Sequence, residues 1–334
     1  MSDGDSCRLK YFEGEPEVLA EVRQMWDEIF DDPEEFADYY FTEICKQNKI
    51  LLAYKGDVLA GMIHLNPYEM QVEGKKELCY YIVGVAVKPE YREQGIMHKM
   101  MQRVLADMKK DGRAFTFLMP EREEYYESLG FEKVFHTLEL DIDIAELEDE
   151  DVVPDDLSGE EGYYTKNLKD LHEERADILE HLSGEVNDAL AKKYQIYAHR
   201  TPQYLERMEH RCQNGDVVAV YEDGMHMDDG QVEERLAGMF SYDIYDDTMY
   251  VERFESFDDH VRYVLDAAVR LAEHAFCRRL VVTMSERHFC DDIANMLGVS
   301  VRMNDGYGFM ALSLQGDDSL MSILHEASFF DEIV

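Results

Sequence analysis

YYIVGVAVKPEYREQGIMHKMM, residues Tyr80 to Met101, is the stretch on which the fold turns. An apolar strand ends at Val87 and the chain turns through Lys88-Pro89-Glu90. Arg92 to Gly95, an R-x-x-G pattern, then opens a helix whose apolar stripe is Met97, Met100, Met101, Val104, Leu105 and Met108. A helix N-terminus offers unpaired backbone N–H groups and the positive end of its dipole, and a glycine lets a phosphate approach that backbone closely. The physical expectation is a pyrophosphate cradle. The segment fits neither the nucleotide P-loop G-x-x-x-x-G-K-[ST] nor the dinucleotide fingerprint G-x-G-x-x-G. Between Lys88 and Arg113, seven Lys or Arg (88, 92, 99, 103, 109, 110, 113) face four Asp or Glu (90, 93, 107, 111), a positive island in a chain of net charge −40. Alone, that count suits an ion-paired helix face equally well.

Upstream, Val18, Val22, Met25, Trp26 and Ile29 recur at helical spacing, and Glu34 to Cys45 reads as a second, aromatic-rich helix. Ile50 to Ala53, Val58 to His64 and Glu77 to Val87 read as strands, with turns at Lys55-Gly56-Asp57 and Gly74. Downstream, strand Ala114 to Met119, a short helix at Tyr125 to Leu129 and strand Phe131 to Leu140 complete a mixed α/β unit. From Asp141 to Gly162 no Lys or Arg occurs, and residues 146–162 read as an acidic linker.

The second half echoes the first in order. Leu59-Ala60-Gly61-Met62 returns as Leu236-Ala237-Gly238-Met239, Arg113 to Met119 as Arg279 to Met284, and Leu129-Gly130 as Leu297-Gly298. Between them Val261, Val264, Leu265, Ala268 and Leu271 give the matching amphipathic helix. Duplication is the expectation, with domains at 1–145 and 163–316 and a tail, 317–334, read as a peripheral helix.

Length and composition set bounds. A chain of 334 residues, 46% hydrophobic, can bury two cores. Its charge opposes binding to nucleic acid and anionic membrane and favours cationic ligands, although an acidic surface kept for solubility explains it as well. No window approaches about 18 consecutive apolar residues, and no leader is visible, so a soluble cytoplasmic protein is expected. Six scattered cysteines form no C-x-x-C pair and read as reduced thiols. No metal is expected: the cluster His288-Phe289-Cys290-Asp291-Asp292 lacks paired zinc spacing and reads as a polar loop.

Gly84 to Met97 resembles the acetyl-CoA-binding motif of the GCN5-related N-acetyltransferase (GNAT) superfamily, a strand followed by [Q/R]-x-x-G-x-[G/A]. Met97 departs from the last small residue. The resemblance extends over Phe115 to Pro120 and Tyr126 to Phe131, and a branch similar to the enhanced intracellular survival (Eis) acetyltransferases also combines a large residue here with tandem folds. Those enzymes carry a further sterol-carrier-like domain, for which this chain has no room after its second unit.

The resemblance implies an α/β, mixed-sheet architecture of tandem GNAT-type acyl-CoA N-acyltransferase domains, the second degenerate. It implies acetyl-CoA as co-substrate and direct transfer of its acetyl group to a primary amine of a small molecule or peptide. Main-chain contacts to the pantetheine arm would come from Val85, Ala86 and Val87, and the pyrophosphate would lie on Arg92, Glu93, Gln94, Gly95, Ile96 and Met97. Tyr126 matches the family's tyrosine general acid, with Tyr125 the wrong-register alternative. No base is evident; Eis-like enzymes use the C-terminal carboxylate, here that of Val334. Trp26, Phe30, Tyr39, Tyr40, Phe41 and Tyr81 come within reach of the acceptor, core packing being the competing role. Aligning the repeats puts Ala294 opposite Tyr126 and Phe254-Glu255-Ser256-Phe257-Asp258-Asp259 in place of the basic loop, whose carboxylates would repel a pyrophosphate. A non-catalytic acyl-CoA-binding or protein-interaction module is the alternative. Oligomeric state is not legible.

Overall fold

The computed structural model describes residues 7–144, 162–172, 174–222, 235–257, 260–285 and 302–330. Side chains of residues 302–307 are outside this description. The chain begins with β1 (Cys7–Tyr11), α1 (Pro16–Ile29), α2 (Glu34–Tyr39), β2 (Lys49–Lys55), β3 (Val58–Val72) and β4 (Lys75–Val87). There follow α3 (Ile96–Lys110), β5 (Phe115–Leu118), α4 (Glu124–Glu127) and β6 (Glu132–Asp143). The later elements are β7 (Tyr163–Asn167), α5 (Arg175–Lys193), β8 (Ile196–Ala198), α6 (Pro202–Arg211), β9 (Gly215–Glu222), β10 (Arg235–Tyr245) and β11 (Thr248–Ser256). Last come α7 (Val261–His274), β12 (Arg279–Ser285), β13 (Arg302–Ser313), α8 (Asp318–Ala327) and β14 (Ser328–Phe329).

Two compact units result, and neither is contiguous. Unit 1 comprises Met1–Val134, Gln195–Ala198 and Phe309–Val334; unit 2 comprises Phe135–Tyr194 and His199–Gly308. In unit 1 the strands run in the order β1-β2-β3-β4-β5-β13, and β8 adds to the far end of β3 with β14 beside it. Only β4–β5 is parallel among the pairs of β1 to β5, and β13 closes antiparallel on β5 from Ser313↔Phe115 to Met310↔Leu118. Unit 2 repeats the plan as β7-β9-β10-β11-β12-β6, with β11–β12 parallel and β6 antiparallel on β12.

The sixth strand of each unit therefore comes from the other half of the sequence: β6 follows α4 yet closes unit 2, and β13 follows β12 yet closes unit 1. The structural units differ here from the contiguous segments 1–145 and 163–316. β6 alternates from His136 to Asp143 and β13 ends in the apolar run Phe309-Met310-Ala311-Leu312, and neither pattern says which edge the strand will cover.

The cores follow the expected stripes. On α1, Val22, Met25 and Trp26 are buried against Tyr40, Phe41, Ile50, Leu52, Met62 and Ala86. The second helix stops sooner than its spacing suggests: α2 ends at Tyr39, and Tyr40–Ile44 winds as one wider π turn that buries Tyr40 and Phe41. In unit 2, α7 buries Val264, Leu265, Ala268 and Ala272 against β11 and β12. The tail is a helix as far as Ala327, but it is not peripheral throughout. Phe329 and Phe330 are wholly buried, and Phe330 meets Phe117 at 4.6 Å.

Candidate active site

Strand β4 departs from regular pairing at Gly84. Met62 pairs with Ala86 and His64 with Val83, so Gly84 and Val85 together oppose the single residue Ile63. This is a β-bulge, which bends and re-aims the strand. Gly84 has φ +58°, and a Cβ there would lie 2.5 Å from the Trp26 ring, so both its conformation and the packing demand glycine. Trp26 is held in place by its Nε1–H, which donates to Asp32 Oδ2 at 2.9 Å.

On the other edge, the parallel ladder to β5 pairs Tyr80 with Thr116 and Tyr81 with Phe117 and then stops. Thr116 Oγ1 locks the branch point by donating to Tyr80 O at 2.7 Å. Beyond it the chain reaches Pro120, which has no N–H for a ladder. The β5-side backbone of Ile82–Val87 thus has no ladder partner on β5.

Past this segment the chain enters the R-x-x-G loop. The Arg92 guanidinium folds back to donate from Nε to Val87 O at 3.0 Å, and Gln94 Nε2 donates to Glu90 O at 3.3 Å. Gly95, at φ +71°, is the N-cap of α3, and no side chain caps the helix. Its first-turn amides and positive dipole end are therefore available to an anion. Glu93 also adopts a left-handed conformation, at φ +60°. Arg92 to Gly95 are exposed, Ile96 is buried against the core and Met97 is half-buried. Gly61 lets β3 approach α3: a Cβ there would meet Ala86 O at 3.0 Å and Met100 Sδ at 3.1 Å.

Tyr126 lies on the other arm of the branch, on α4 directly after β5. It is buried, whereas Tyr125 is 53% exposed. The ring meets Phe131 at 5.9 Å, and the backbone turn is closed by Leu129 N and Phe131 N donating to Tyr126 O. Burial, with a contribution from Glu121, pushes the phenol up to about 12, so it stays protonated at neutral pH. Among the described residues, no hydrogen bond or ring contact joins Tyr126 to residues 85–97. The structure brings Val85 to Met97 into one continuous strand–loop–helix frame and sets Tyr126 on the opposing strand's continuation.

Of the residues suggested for the acceptor side, Trp26, Tyr40 and Phe41 form one packed cluster, with Trp26 stacked on Tyr40 at 4.6 Å. Tyr81 joins another with Tyr68 and Phe117. Buried His64 and Asn66 and half-buried Asn48, missed in the sequence reading, form a polar group around Tyr40. Two polar residues in GMIHLN on an apolar strand were the available signal, as was Gly84 for the bulge. Val334, Ala294, Leu297-Gly298, Asp258-Asp259 and the His288–Asp292 cluster lie outside the described residues. Among the described residues no group of three or more His, Cys, Asp or Glu could hold a metal, and no helix is long and apolar enough to cross a membrane.

This strand-bulge-splay frame has a family. Residues 13–134 match the family model described as acetyltransferase (GNAT) domain. Over those residues the chain is a GNAT acetyltransferase domain. The enzyme class this supports is N-acetyltransferase, and domains of this fold take an acyl-CoA donor and an acceptor. Among solved structures, the chain is similar to a GCN5-related N-acetyltransferase from Anabaena variabilis at TM-score 0.68 and 13% identity, covering 92% of this chain and 73% of that one. It is also similar to Eis1 from Mycobacterium abscessus at TM-score 0.62 and 14% identity, covering 92% and 74%. A third is the Saccharomyces cerevisiae N-myristoyltransferase with bound myristoyl-CoA, at TM-score 0.52 and 12% identity, covering 92% and 83%. At these identities the likeness is one of fold, and it extends beyond the GNAT match to both units. No curated protein matches the sequence.

Unit 2 repeats the bulge, but its parallel ladder runs further. Met239 pairs with Glu255 and Ser241 with Glu252, so Arg253 and Phe254 oppose Phe240, and Arg253 stands at φ +50° where Gly84 stands at +58°. The β11–β12 ladder, however, shifts register after Val251↔Val282 and resumes within the bulge, at Phe254↔Met284. The expected repulsion by Glu255 is corrected: its carboxylate is buried and bound by Arg200, Nη2 to Oε1 at 2.6 Å.

Proposed function

We propose that the GNAT domain transfers an acetyl group from acetyl-CoA to a primary amine of a small molecule or peptide. One observation carries this reading: the β4–β5 ladder stops at Tyr81↔Phe117, immediately before the Gly84 bulge and the uncapped start of α3. In it, backbone groups of Val85, Ala86 and Val87 take the pantetheine arm, and Arg92 to Met97 take the pyrophosphate. An N–H of the bulged strand polarises the thioester carbonyl and stabilises the oxyanion that forms there. The neutral amine attacks that carbon, the C–S bond breaks, the leaving thiolate takes the hydroxyl proton of Tyr126, and the proton shed by the attacking nitrogen, passed through solvent, restores the phenol. Burial that holds the phenol protonated supports Tyr126 in this role over exposed Tyr125. An acidic protein of charge −40 favours a cationic acceptor, whose amine must lose a proton before attack.

The test is calorimetric titration of acetyl-CoA into the wild type, Arg92→Ala and Tyr126→Phe, followed by amine-dependent release of free thiol. Binding weakened by the first change and retained by the second, with turnover lost in the second, is the expected result. A wild type that binds no acyl-CoA would sink the proposal. Acyl-chain preference, read by repeating the titration with longer acyl-CoA donors, separates acetyl transfer from transfer of a fatty chain.

A further inference from the structure

Beneath the β4 bulge a buried polar group interrupts an aromatic core. His64 and Asn66, two residues apart on β3, share one face of the strand, the face on which α1 packs. His64 and Tyr40 are wholly buried, and Asn66 is nearly so. The Tyr40 hydroxyl meets His64 Nδ1 at 3.0 Å and Asn66 Oδ1 at 3.3 Å, and Asn48 Nδ2 donates to it at 2.9 Å. Trp26 closes over the group, 5.3 Å from the His64 ring.

Hydrogen-bond accounting fixes the imidazole. A phenol hydroxyl has one hydrogen and two lone pairs. Asn66 Oδ1 can only accept, so it takes the hydrogen. The Asn48 amide fills one lone pair, which leaves the other for His64 Nδ1–H. The opposite tautomer would leave the Asn66 carbonyl without a donor. His64 is then a neutral Nδ1–H imidazole, and its burial, which pushes the pKa down to about 3, keeps it so. Its Nε2 is a bare lone pair, and among the described residues neither Nε2 nor Asn66 Nδ2 has a partner.

A polar atom left unpaired in a dry core is strongly disfavoured. A lone pair and an N–H donor on neighbouring positions of one strand face match a single molecule that donates and accepts, namely water. The Nε2 edge is also the edge against the bulge: Cδ2, bonded to Nε2, lies 3.3 Å from where a Gly84 Cβ would stand.

We infer that His64 is a positioning residue for acyl transfer: with Asn66 it binds one internal water, and through its ring and that water it holds the Gly84–Val85 bulge in register. This rests on the acetyl-transfer reading, because the bulge matters to chemistry only if Val85–Val87 face the thioester. The pyrophosphate cradle is built by α3 and its preceding loop, so the cluster acts on the geometry of transfer rather than on retention of the donor.

The test uses the full chain, labelled with 15N. Long-range 1H–15N spectra of His64 should show the Nδ1–H tautomer with no titration above about pH 5. A high-resolution crystal structure should show a water between Nε2 and Asn66 Nδ2. An Nε2–H tautomer, or a direct contact in place of the water, overturns the inference. In kinetics, His64→Leu should lower kcat about 10- to 100-fold, the scale of a small misplacement of reacting groups, while the acetyl-CoA Kd stays within about threefold. His64→Gln, which restores a polar group near the Nε2 position, should recover most of the loss. If the Leu variant does not fold, Tyr40→Phe removes only the hydroxyl that sets the tautomer and should lower kcat in the same way. Unchanged kcat in a folded variant overturns the inference while leaving acetyl transfer intact. Failure of the wild type to bind acetyl-CoA would overturn the function reading itself, and the two failures are thereby distinct.

Discussion

Strands β4 and β11 occupy equivalent places in the two units, carry the same bulge at the same left-handed φ, and differ in what happens on their far edge. In unit 1 the parallel ladder ends after two register pairs, before the bulge; in unit 2 it reaches into the bulge, at Phe254↔Met284. The bulge is thus common to both units, whereas a ladder that ends before it belongs to one. A zipped edge gives its backbone hydrogen bonds to β12 and has none to offer a ligand. The bulge residues record the same history. Gly84 takes its positive φ at no steric cost, while Arg253 adopts it as a non-glycine residue, a conformation held against strain by its surroundings.

The largest test of this comparison is at Gly84. Gly84→Val places side-chain atoms within the Trp26 ring and forces a β-branched residue to positive φ, so we expect roughly 2–4 kcal/mol of destabilisation. Acetyl-CoA binding, followed by calorimetry in whatever fraction remains folded, should be abolished. Retained binding would break the link between bulge and cleft.

The matching change in unit 2 should separate stability from binding. Arg200 and Glu255 are each about 1% exposed, with Arg200 further fixed through its backbone by Ser183 and Asn187. Arg200→Met leaves a buried carboxylate without its cation and should cost about 3–5 kcal/mol in thermal or urea unfolding. The acetyl-CoA Kd of the folded protein should not change. A loss of affinity would show that unit 2 does more than fold.

How much of this was legible in the sequence differs between the same two strands. Around β4 the pattern is local: an apolar run, R-x-x-G and an amphipathic helix follow one another, and the structure sets them as one frame. The tyrosine pair was legible down to its ambiguity, and the structure buries Tyr126 while exposing Tyr125. The exchange of β6 and β13 was not legible, because an edge is chosen by long-range pairing that neither strand's own residues specify. Glu255 was misjudged for a related reason. Its partner Arg200 lies 55 residues away, and a carboxylate in a charged-looking run gives no sign that it is buried. The early end of α2 is set by burial of Tyr40 and Phe41, a demand of packing rather than of helix propensity.

Chemistry at the cleft is tested next. Tyr126→Phe keeps the buried ring and its contact with Phe131 but removes the proton donor, so kcat should fall about 100-fold with the acetyl-CoA Kd unaltered. The pH profile carries a sign. Because burial raises the phenol to about 12, the wild-type rate should show no alkaline fall from Tyr126 across neutral and mildly basic pH. A limb near the ordinary tyrosine value would mean that the phenol is more hydrated than its burial indicates.

The smallest expected effect lies in the cradle, and it bears most directly on what separates the two bulges. Glu93, exposed and at φ +60°, is a non-glycine residue in a left-handed conformation within the loop assigned to the pyrophosphate. Glu93→Gly removes that strain, roughly 1 kcal/mol, and a negative charge next to where two phosphates would sit. Glycine also enlarges the unfolded ensemble, which offsets part of the gain in stability. Affinity is free of that offset if the loop is already ordered, so acetyl-CoA should bind about two- to fivefold tighter, and the gain should shrink as salt is raised because part of it is Coulombic. Equal affinity at low and high salt would assign the effect to backbone strain alone. Weaker binding would mean that Glu93 holds the loop open for the ligand, and that the left-handed residue before α3 is, like Gly84, part of how the cleft is made.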